Sequence, residues 1–183
     1  MAALRKEEML NLAENAVRLA LAKGGAEAEA YLYDGQTTSI GIERGQITKS
    51  NRIIDRGLGI RVVINKTVGF AYTNVLEKRT AIEDTVLRAV GAARSSKPDL
   101  NWHGLPGKRP YASVKNTFDQ KIQELHSEDL VNLTSTMLDA AVKADKRVLP
   151  IEGGAGAGSL TTAIANSNGI SGFDEGWHFN CDK

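Results

Sequence analysis

The stretch RGLGIRVVINKTVGFAYT at residues 56–73 decides the fold of this chain. Its first half alternates apolar with small or polar residues, the period-two pattern of a strand with one buried face: Leu58, Ile60, Val62 and Ile64. Asn65-Lys66-Thr67 then predicts a hairpin loop, because Asn tolerates the left-handed backbone of tight turns. The strand returns over residues 68–73. So short a loop joins antiparallel neighbours, since parallel pairing needs a crossover of about a dozen residues or more.

Towards the N-terminus the alternation predicts three more strands, at residues 28–32, at residues 38–42 and from Ile47 onward. Asp34-Gly35 predicts a turn between the first two, and Glu43-Arg44-Gly45-Gln46 a turn between the second and third. A helix precedes them and ends at Gly24-Gly25. Its apolar residues recur at helical spacing: Met9, Leu12, Ala13, Ala16, Val17 and Ala20.

Towards the C-terminus we predict a second helix that begins near Asn74, with Glu77 completing a capping box. A loop rich in Pro and Gly follows over residues 95–115. A third helix starts at Ser127. The predicted buried stripe of the second helix is Ile82, Val86, Ala89, Val90 and Ala93, and that of the third is Leu130, Leu133, Met137, Leu138, Ala141 and Ala144.

After Pro150 the chain is glycine-rich, and a strand over residues 160–166 ends in a turn at Asn166-Ser167-Asn168-Gly169. The order of elements predicts an α+β fold, an antiparallel β-sheet meander with helices packed on one face.

Composition limits the classes of function. A chain of 183 residues has the length of one domain, and its formal net charge of +1 offers no basic excess for nucleic acid. No apolar run near the N-terminus is long enough for a signal peptide or a membrane helix. Cys181 is the single cysteine, which fits a reducing compartment. We therefore expect a cytoplasmic protein without a membrane partner.

A metal site is the first chemistry to consider. His178 and Cys181 lie three residues apart, near other candidate ligands: Asp174, Glu175 and Asp182. His103 and His126 lie in separate loops, and no His-Glu-x-x-His pair occurs. We interpret the group as an incidental part of the tail and predict no metal ligand, which leaves the role of His178 and Cys181 open.

Two glycine-containing runs are ambiguous. Gly154 to Gly158 follows an apolar stretch at residues 148–151, as in a dinucleotide-binding loop, but no helix pattern follows, and we favour a strand rich in small residues. Glycines at residues 57 and 59 could admit a ligand, with Arg61 as an anion partner. We favour a kinked strand against which a helix packs.

Nucleophilic catalysis lacks support in the sequence. Cys181 and His178, three apart on an extended segment, do not orient a base, and no third orienting group is identifiable. We therefore predict no catalytic and no cofactor-binding residue in this chain.

The order of these motifs resembles the N-terminal domain of the TldD/PmbA family of metallopeptidases, once called modulators of DNA gyrase. The similar segments are Ala28-Glu29-Ala30-Tyr31, Ile42-Glu43-Arg44-Gly45-Gln46-Ile47, Arg56-Gly57-Leu58-Gly59-Ile60-Arg61-Val62, Val68-Gly69-Phe70-Ala71-Tyr72-Thr73-Asn74, Pro98-Asp99, Leu105-Pro106, Phe118-Asp119, Ser127-Glu128-Asp129-Leu130 and Ala165-Asn166-Ser167-Asn168-Gly169. Together they extend from the first helix to about Gly172.

The resemblance implies a cytosolic zinc metallopeptidase that matures or degrades peptides and unfolded proteins. TldD-type subunits carry a His-Glu-x-x-x-His zinc motif and pair with PmbA-type (TldE) subunits that lack it. The Asn-Ser-Asn-Gly turn is more similar to the PmbA-type branch. Family members are more than twice as long, and the zinc motif lies beyond this chain, so no site residue is carried over and we expect the chain to be inactive alone.

The resemblance also sets expectations for organisation and partners. Residues 1–150 would form the N-terminal domain, and residues 151–183 the start of a truncated following region. The chain would contribute cavity wall and dimer surface, would bind a homologous TldD- or PmbA-type subunit and unfolded peptides, and zinc would belong to the full-length TldD-type subunit. The alternatives are a non-catalytic interaction or regulatory module and a nucleotide- or DNA-associated protein.

Overall fold

The computed structural model describes residues 4–112, 114, 117, 119–145, 147 and 152–182. Several positions used in the sequence analysis lie outside the described residues: Lys115, Phe118, residues 148–151 and with them the predicted domain boundary between Pro150 and Ile151. The division into residues 1–150 and 151–183 therefore stays a prediction.

Helices and strands follow in the order α1 (Lys6–Ala22), β1 (Glu27–Glu43), β2 (Gln46–Ile64), β3 (Thr67–Thr73), α2 (Arg79–Ser95), α3 (Gln120–Gln123), α4 (Ser127–Ala144), β4 (Glu152–Asn166) and β5 (Ser171–Asp182). The strands form one antiparallel sheet in the order β3-β2-β1-β4-β5. The predicted α+β class is confirmed.

The two hairpin turns are as predicted. Arg44 and Gly45 both have positive φ, of 51° and 76°, and so do Asn65 and Lys66, of 50° and 66°. Positive φ at both central residues is the geometry of the two-residue turn that matches the twist of paired strands. The register of β2 with β3 runs from Ile64↔Thr67 to Leu58↔Thr73.

The predicted turn at Asp34-Gly35 is wrong, because β1 continues through it. Asp34 is 6% exposed and lies 3.4 Å from the guanidinium of Arg56 on β2. Its second carboxylate oxygen accepts a hydrogen bond from the backbone N–H of Leu4 at 2.8 Å. A buried ion pair, rather than a turn, explains this aspartate. The strands predicted from Ile47 and at residues 58–64 are likewise one strand, β2.

The first two helices differ in how well the sequence located them. α1 and its buried stripe are as predicted, except that Leu12 is only partly buried. α2 begins at Arg79 instead of near Asn74, and Lys78 occupies the N-cap position without a side-chain capping bond, so the predicted capping box is wrong. The Thr73 hydroxyl instead accepts a hydrogen bond from the N–H of Val75 at 3.1 Å.

α4 starts at Ser127 as predicted. His126 is the N-cap residue, and its backbone N–H donates a hydrogen bond to the Asp129 carboxylate at 2.8 Å. The predicted inner stripe of α4 is confirmed only in part, since Met137, Leu138 and Ala141 are partly buried and Ala144 is exposed. Leu130 is fully buried together with Thr134, whereas Leu133 is 43% exposed. The stripe is therefore apolar in sequence and only partly covered in the described structure.

Contacts divide the chain into two compact units, and the division falls inside four of the strands. Unit 1 comprises Met1–Asp34, Asp55–Ser113 and Thr161–Asp174, and unit 2 comprises Gly35–Ile54, Val114–Leu160 and Glu175–Lys183. The core of unit 1 includes Met9, Val17, Leu32, Leu58, Ile60 and Val86, and that of unit 2 is formed by Ile40, Leu130 and Ala157.

In unit 1, α2 packs on β3 with no room for a side chain at Gly69. A Cβ built at Gly69 would collide with the Ala89 carbonyl and the Ala93 N–H of α2, and would lie 2.8 Å from the Ala93 Cα. These are main-chain atoms of a helix, which cannot move aside as a flexible side chain can. The closeness of α2 to the sheet therefore depends on glycine at this position.

We expect Gly69→Ala to lower the free energy of unfolding by about 1–3 kcal/mol, the usual cost of overpacking a core. Gly91→Ala is the matched control, because Gly91 lies in α2 with no atom within 4 Å of an added Cβ. Alanine there should stabilise the helix by up to about 1 kcal/mol. Urea unfolding followed by circular dichroism measures both changes, and equal effects of the two substitutions would contradict the close packing.

The buried pair of Asp34 and Arg56 gives a second prediction. Asp34→Asn removes the nearer and buried carboxylate from the guanidinium of Arg56 and leaves it only the half-exposed Glu77 at 3.9 Å, and we expect a loss of about 3 kcal/mol in the free energy of unfolding. Glu83→Gln breaks the exposed pair of Arg79 and Glu83 and serves as control, with an expected loss below about 0.5 kcal/mol. Equilibrium denaturation of the two variants tests the difference, and a near-neutral Asp34→Asn would refute it.

Candidate functional site

Unit 2 carries an open cavity of about 680 Å³ on the face of β1, β4 and β5. We call it the polar trough and define it by Thr37, Ser39, Gly154, Gly156, His178 and Asn180. Because β4 lies between β1 and β5 in the sheet, its glycines form the floor and the side chains of its two neighbours form the walls.

Period-two alternation along β4 separates the trough from the core. Ala155 and Ala157 are buried, and Ala157 packs in one cluster with Leu130 of α4. The glycines between the alanines therefore face the other side of the sheet, where Gly154 is partly exposed and Gly156 is buried; Ala155 also lines the cavity. A Cβ at Gly154 would collide with the Ile40 carbonyl, and a Cβ at Gly156 would lie 2.6 Å from the Asn180 side-chain oxygen.

The chemistry of the trough is that of a polar binding surface. Thr37 and Ser39 bring hydroxyls, Asn180 an amide and His178 an imidazole, and Glu152 lies at the margin. His178 is exposed, and its Cε1 would lie 2.5 Å from a Cβ at Gly158. Such groups hydrogen-bond to peptide N–H and C=O without demanding a particular side chain, and a floor without side chains admits close approach of another main chain.

The ambiguous glycine run lies inside this trough. Gly154 to Gly158 belongs to the continuous strand β4, so the strand interpretation is confirmed and the dinucleotide-loop interpretation is wrong. No sequence argument had selected Thr37, Ser39 or Asn180. Ser39 lies in the strand predicted at residues 38–42 and Thr37 directly precedes it, but no strand was predicted at Asn180, and the position of all three across β4 was not visible.

The candidate metal ligands are not brought together. Among the described residues no three His, Cys, Asp or Glu side chains lie close enough to share a metal ion. Cys181 is exposed on β5, beyond His178. The part of the chain that the structure describes therefore does not fit a zinc ion, and no step of hydrolysis follows from its residues.

The second glycine run, at residues 57 and 59, lies in unit 1. Its glycines face away from the core side chains Leu58 and Ile60, and Arg61 on the same face forms an ion pair with Glu29. The guanidinium of Arg61 also lies 5.9 Å from the centre of the Trp102 ring. Since Glu29 already neutralises Arg61, its predicted role as an anion partner finds no support in this geometry.

The Asn-Ser-Asn-Gly turn has a clear structural role in unit 1. The Asn166 side-chain oxygen accepts hydrogen bonds from Asn168 N–H (2.9 Å) and Ile170 N–H (3.0 Å). The side-chain amides of Asn166 and Asn168 donate to the carbonyls of Pro106 and Leu105, at 2.9 and 2.6 Å. The turn thus fixes itself and holds the Pro/Gly-rich loop.

Glu27, which sequence reasoning missed, anchors the same loop. Its carboxylate accepts hydrogen bonds from the Trp102 indole N–H (2.9 Å) and from the Leu105 backbone N–H (2.6 Å). An acidic residue at the start of a strand gave no signal for this role.

No helix among the described residues has both the length and the apolar character needed to cross a membrane.

Comparison with solved structures gives similar folds at low sequence identity. The chain resembles TldE from Thermococcus kodakarensis with a TM-score of 0.81 at 22% identity, over 90% of this chain and 36% of that one. It resembles candidate modulators of DNA gyrase from Bacteroides thetaiotaomicron (TM-score 0.79, 22% identity, 92% and 39% of the chains) and Thermotoga maritima (0.76, 16%, 91% and 37%).

Sequence comparison points to the same group of proteins. An uncharacterized protein of Methanocaldococcus jannaschii is 27% identical over 148 residues, 81% of this chain and 33% of the relative. The chain thus spans about a third of the length of that relative. The family model of PmbA/TldA metallopeptidase domain 1 matches residues 28–93, the segment that holds β1 to β3 and most of α2. Residues 28–93 are thus similar to the first domain of PmbA/TldA metallopeptidases, which agrees with the resemblance found in the sequence.

Proposed function

We propose that this chain serves as the N-terminal region of a TldD/PmbA-type zinc metallopeptidase. In this role it binds extended, unfolded peptide as part of the cavity wall, provides a surface for association with a homologous subunit, and supplies no catalytic residue. The observation that carries the proposal is the polar trough. It offers hydroxyl, amide and imidazole groups above a glycine floor, without three metal ligands among the described residues.

The trough suits a substrate that is recognised by its main chain. A peptidase of unfolded segments must accept many sequences, and main-chain hydrogen bonds provide affinity with little selectivity for side chains. Walls of hydroxyl and amide groups can both donate and accept such bonds. The glycine floor removes the side chains that would hold the peptide away.

The remaining parts of the proposal concern the longer protein. The matched relatives are more than twice as long as this chain. We propose that the zinc ion and the group that activates water come from a following region or from a TldD-type subunit. The Asn-Ser-Asn-Gly turn supports the PmbA-type branch for this chain, and one similar structure bears the name TldE. The whole would be a cytoplasmic dimer.

We expect Gly156→Val to weaken binding of an unstructured peptide at least about tenfold, because the side chain fills the trough floor. The added atoms meet the end of the Asn180 side chain, which can rotate away, so the fold should persist. Gly176→Val is the matched control, since Gly176 lies on β5 with no atom within 4 Å of an added Cβ. Fluorescence anisotropy with a labelled peptide measures both affinities, and circular dichroism verifies folding.

Two outcomes of this comparison would count against the trough. Unchanged affinity in a folded Gly156→Val protein would show that peptide binds elsewhere or not at all. An equal loss in Gly176→Val would show that the effect is a general consequence of valine in the strands of unit 2.

A second test concerns hydrolysis. The 183-residue chain alone should not cleave an unfolded peptide. A mixture with a zinc-bearing TldD-type homologue should cleave it faster than the homologue alone, and a chelator should abolish the activity, because the metal polarises the scissile carbonyl and acidifies water. Chelator-sensitive cleavage by the isolated chain, or no acceleration and no association on a sizing column, would overturn the proposal.

A further inference from the structure

Unit 1 exposes a group of aromatic side chains on the side of the sheet opposite its core. We call this surface the aromatic face and define it by Tyr31 and Tyr33 of β1 and Phe70 and Tyr72 of β3. Tyr31 is 46%, Phe70 61% and Tyr72 70% exposed. Large apolar side chains that are exposed singly are ordinary on protein surfaces. Here four aromatic residues lie on β1 and β3, the two strands that flank β2, and form a contiguous patch.

Glycines of β2 make the face flat. β2 lies between β1 and β3, and it presents Gly57 and Gly59 between the two rows of rings. A Cβ at Gly59 would lie 3.1 Å from the Phe70 ring, and a Cβ at Gly57 would lie 3.1 Å from the Tyr33 ring. The rings therefore lean over the glycines and turn their outer faces to solvent.

The charged groups around the aromatic face are mostly acidic. Four charged residues occupy positions of β1 and β2 that alternate with the core positions and therefore lie on the side of the aromatic face: Glu27, Glu29, Asp55 and Arg61. Arg61 pairs with Glu29. Glu27 accepts its bonds from the neutral Trp102 and Leu105 donors, and Asp55 accepts a bond of 3.1 Å from the Tyr33 hydroxyl. Within the described part of the chain neither of these two carboxylates forms an ion pair. The guanidinium of Arg88 lies beside Tyr72, so the charged groups named around the face sum to −1.

Burial raises the pKa of Tyr33, and its hydrogen bond to Asp55 raises it further. The phenol therefore remains a proton donor at neutral pH and keeps its hydrogen bond to Asp55.

The outer edge of β3 is partly occupied, which favours contact through the face. Thr67 forms an isolated bridge with Pro98, and the Asp99 N–H donates to the Lys66 carbonyl at 2.9 Å. At the other end the guanidinium of Arg88 donates to the Tyr72 carbonyl at 3.2 Å. A strand added along the whole edge would have to displace these bonds, whereas the ring faces need no displacement.

We propose that the aromatic face docks an extended peptide segment that carries Lys or Arg side chains. The cations lie over the electron-rich ring faces and are attracted by Glu27 and Asp55. A second copy of this chain would bring the same net negative charge against it, and a nucleic acid would bring phosphates, so both are disfavoured. This surface lies in unit 1 and goes beyond the proposed role of the polar trough, because it selects for charge.

Nuclear magnetic resonance of the 15N-labelled 183-residue chain tests the proposal. The probe is a short unstructured peptide of alternating Lys and Gly, compared with the same peptide in which Gln replaces Lys. We expect the Lys peptide to shift the amide signals of Tyr31, Gly59 and Phe70, with weaker binding at higher salt. The Gln peptide should shift the same aromatic-face signals with at least about tenfold weaker affinity, whatever it shifts in the polar trough.

Substitutions separate the face from the trough. Phe70→Ala and Tyr72→Ala, at well exposed positions, should each raise the Kd of the Lys peptide about two- to fivefold. Asp55→Asn keeps an acceptor for Tyr33 but removes the charge, and should raise the Kd and reduce its salt dependence. Leu87→Ala is the control, because Leu87 is 48% exposed on α2 and should change nothing.

The outcomes discriminate between occupants and between the two proposals. Equal affinity of the aromatic face for the Lys and Gln peptides would overturn charge-selective docking. Shifts confined to the polar trough would overturn it as well, and so would self-association that Phe70→Ala abolishes. Gly156→Val should leave binding of the Lys peptide to the aromatic face unchanged. The docking proposal can therefore fail while the trough proposal stands, and the reverse.

Discussion

Close approach of main chain at glycine is the constraint on which the core and both surfaces depend. Gly69 lets the backbone of α2 lie directly on β3, which closes the core of unit 1. Gly59 lets a ring of the aromatic face lie on β2, and Gly156 gives the polar trough a floor of main chain. Beside Gly59 and Gly156 the adjacent residues are apolar and buried, so each of these strands packs a core with one face and presents a side-chain-free surface with the other.

Local rules predicted the elements whose signal is local. Asn65-Lys66 has the backbone that a two-residue hairpin requires, and the stripes of α1 and α2 are buried because their period matches a helix. The turn predicted at Asp34 was wrong for a non-local reason, since this aspartate forms a buried ion pair with Arg56 on the next strand. The predicted burial of the α4 stripe was met only in part, because periodicity shows where apolar residues lie and leaves open how much of that face is covered.

The sites were less predictable than the fold because strand order creates them. Their glycines were evident as unusual residues in strand patterns, but the sequence did not show that β4 lies between β1 and β5. That order brings Thr37 and His178, far apart in the chain, to opposite walls of one cavity. The Asn-Ser-Asn-Gly turn was recognised as a turn, yet its hold on the Leu105 and Pro106 carbonyls depends on a loop that begins far upstream.

The two surfaces differ in what they can distinguish. The trough offers hydrogen-bonding groups around a main-chain floor, so under the proposed function its free energy of binding would come from the part of a peptide that all sequences share. The aromatic face offers ring faces and carboxylate charge, so in the proposed docking its free energy of binding would depend on side chains. Recognition of the main chain alone would give all unfolded chains a similar affinity. With both proposed surfaces the chain would accept many sequences and still prefer some, because charge-dependent docking at the aromatic face does not narrow what the trough accepts.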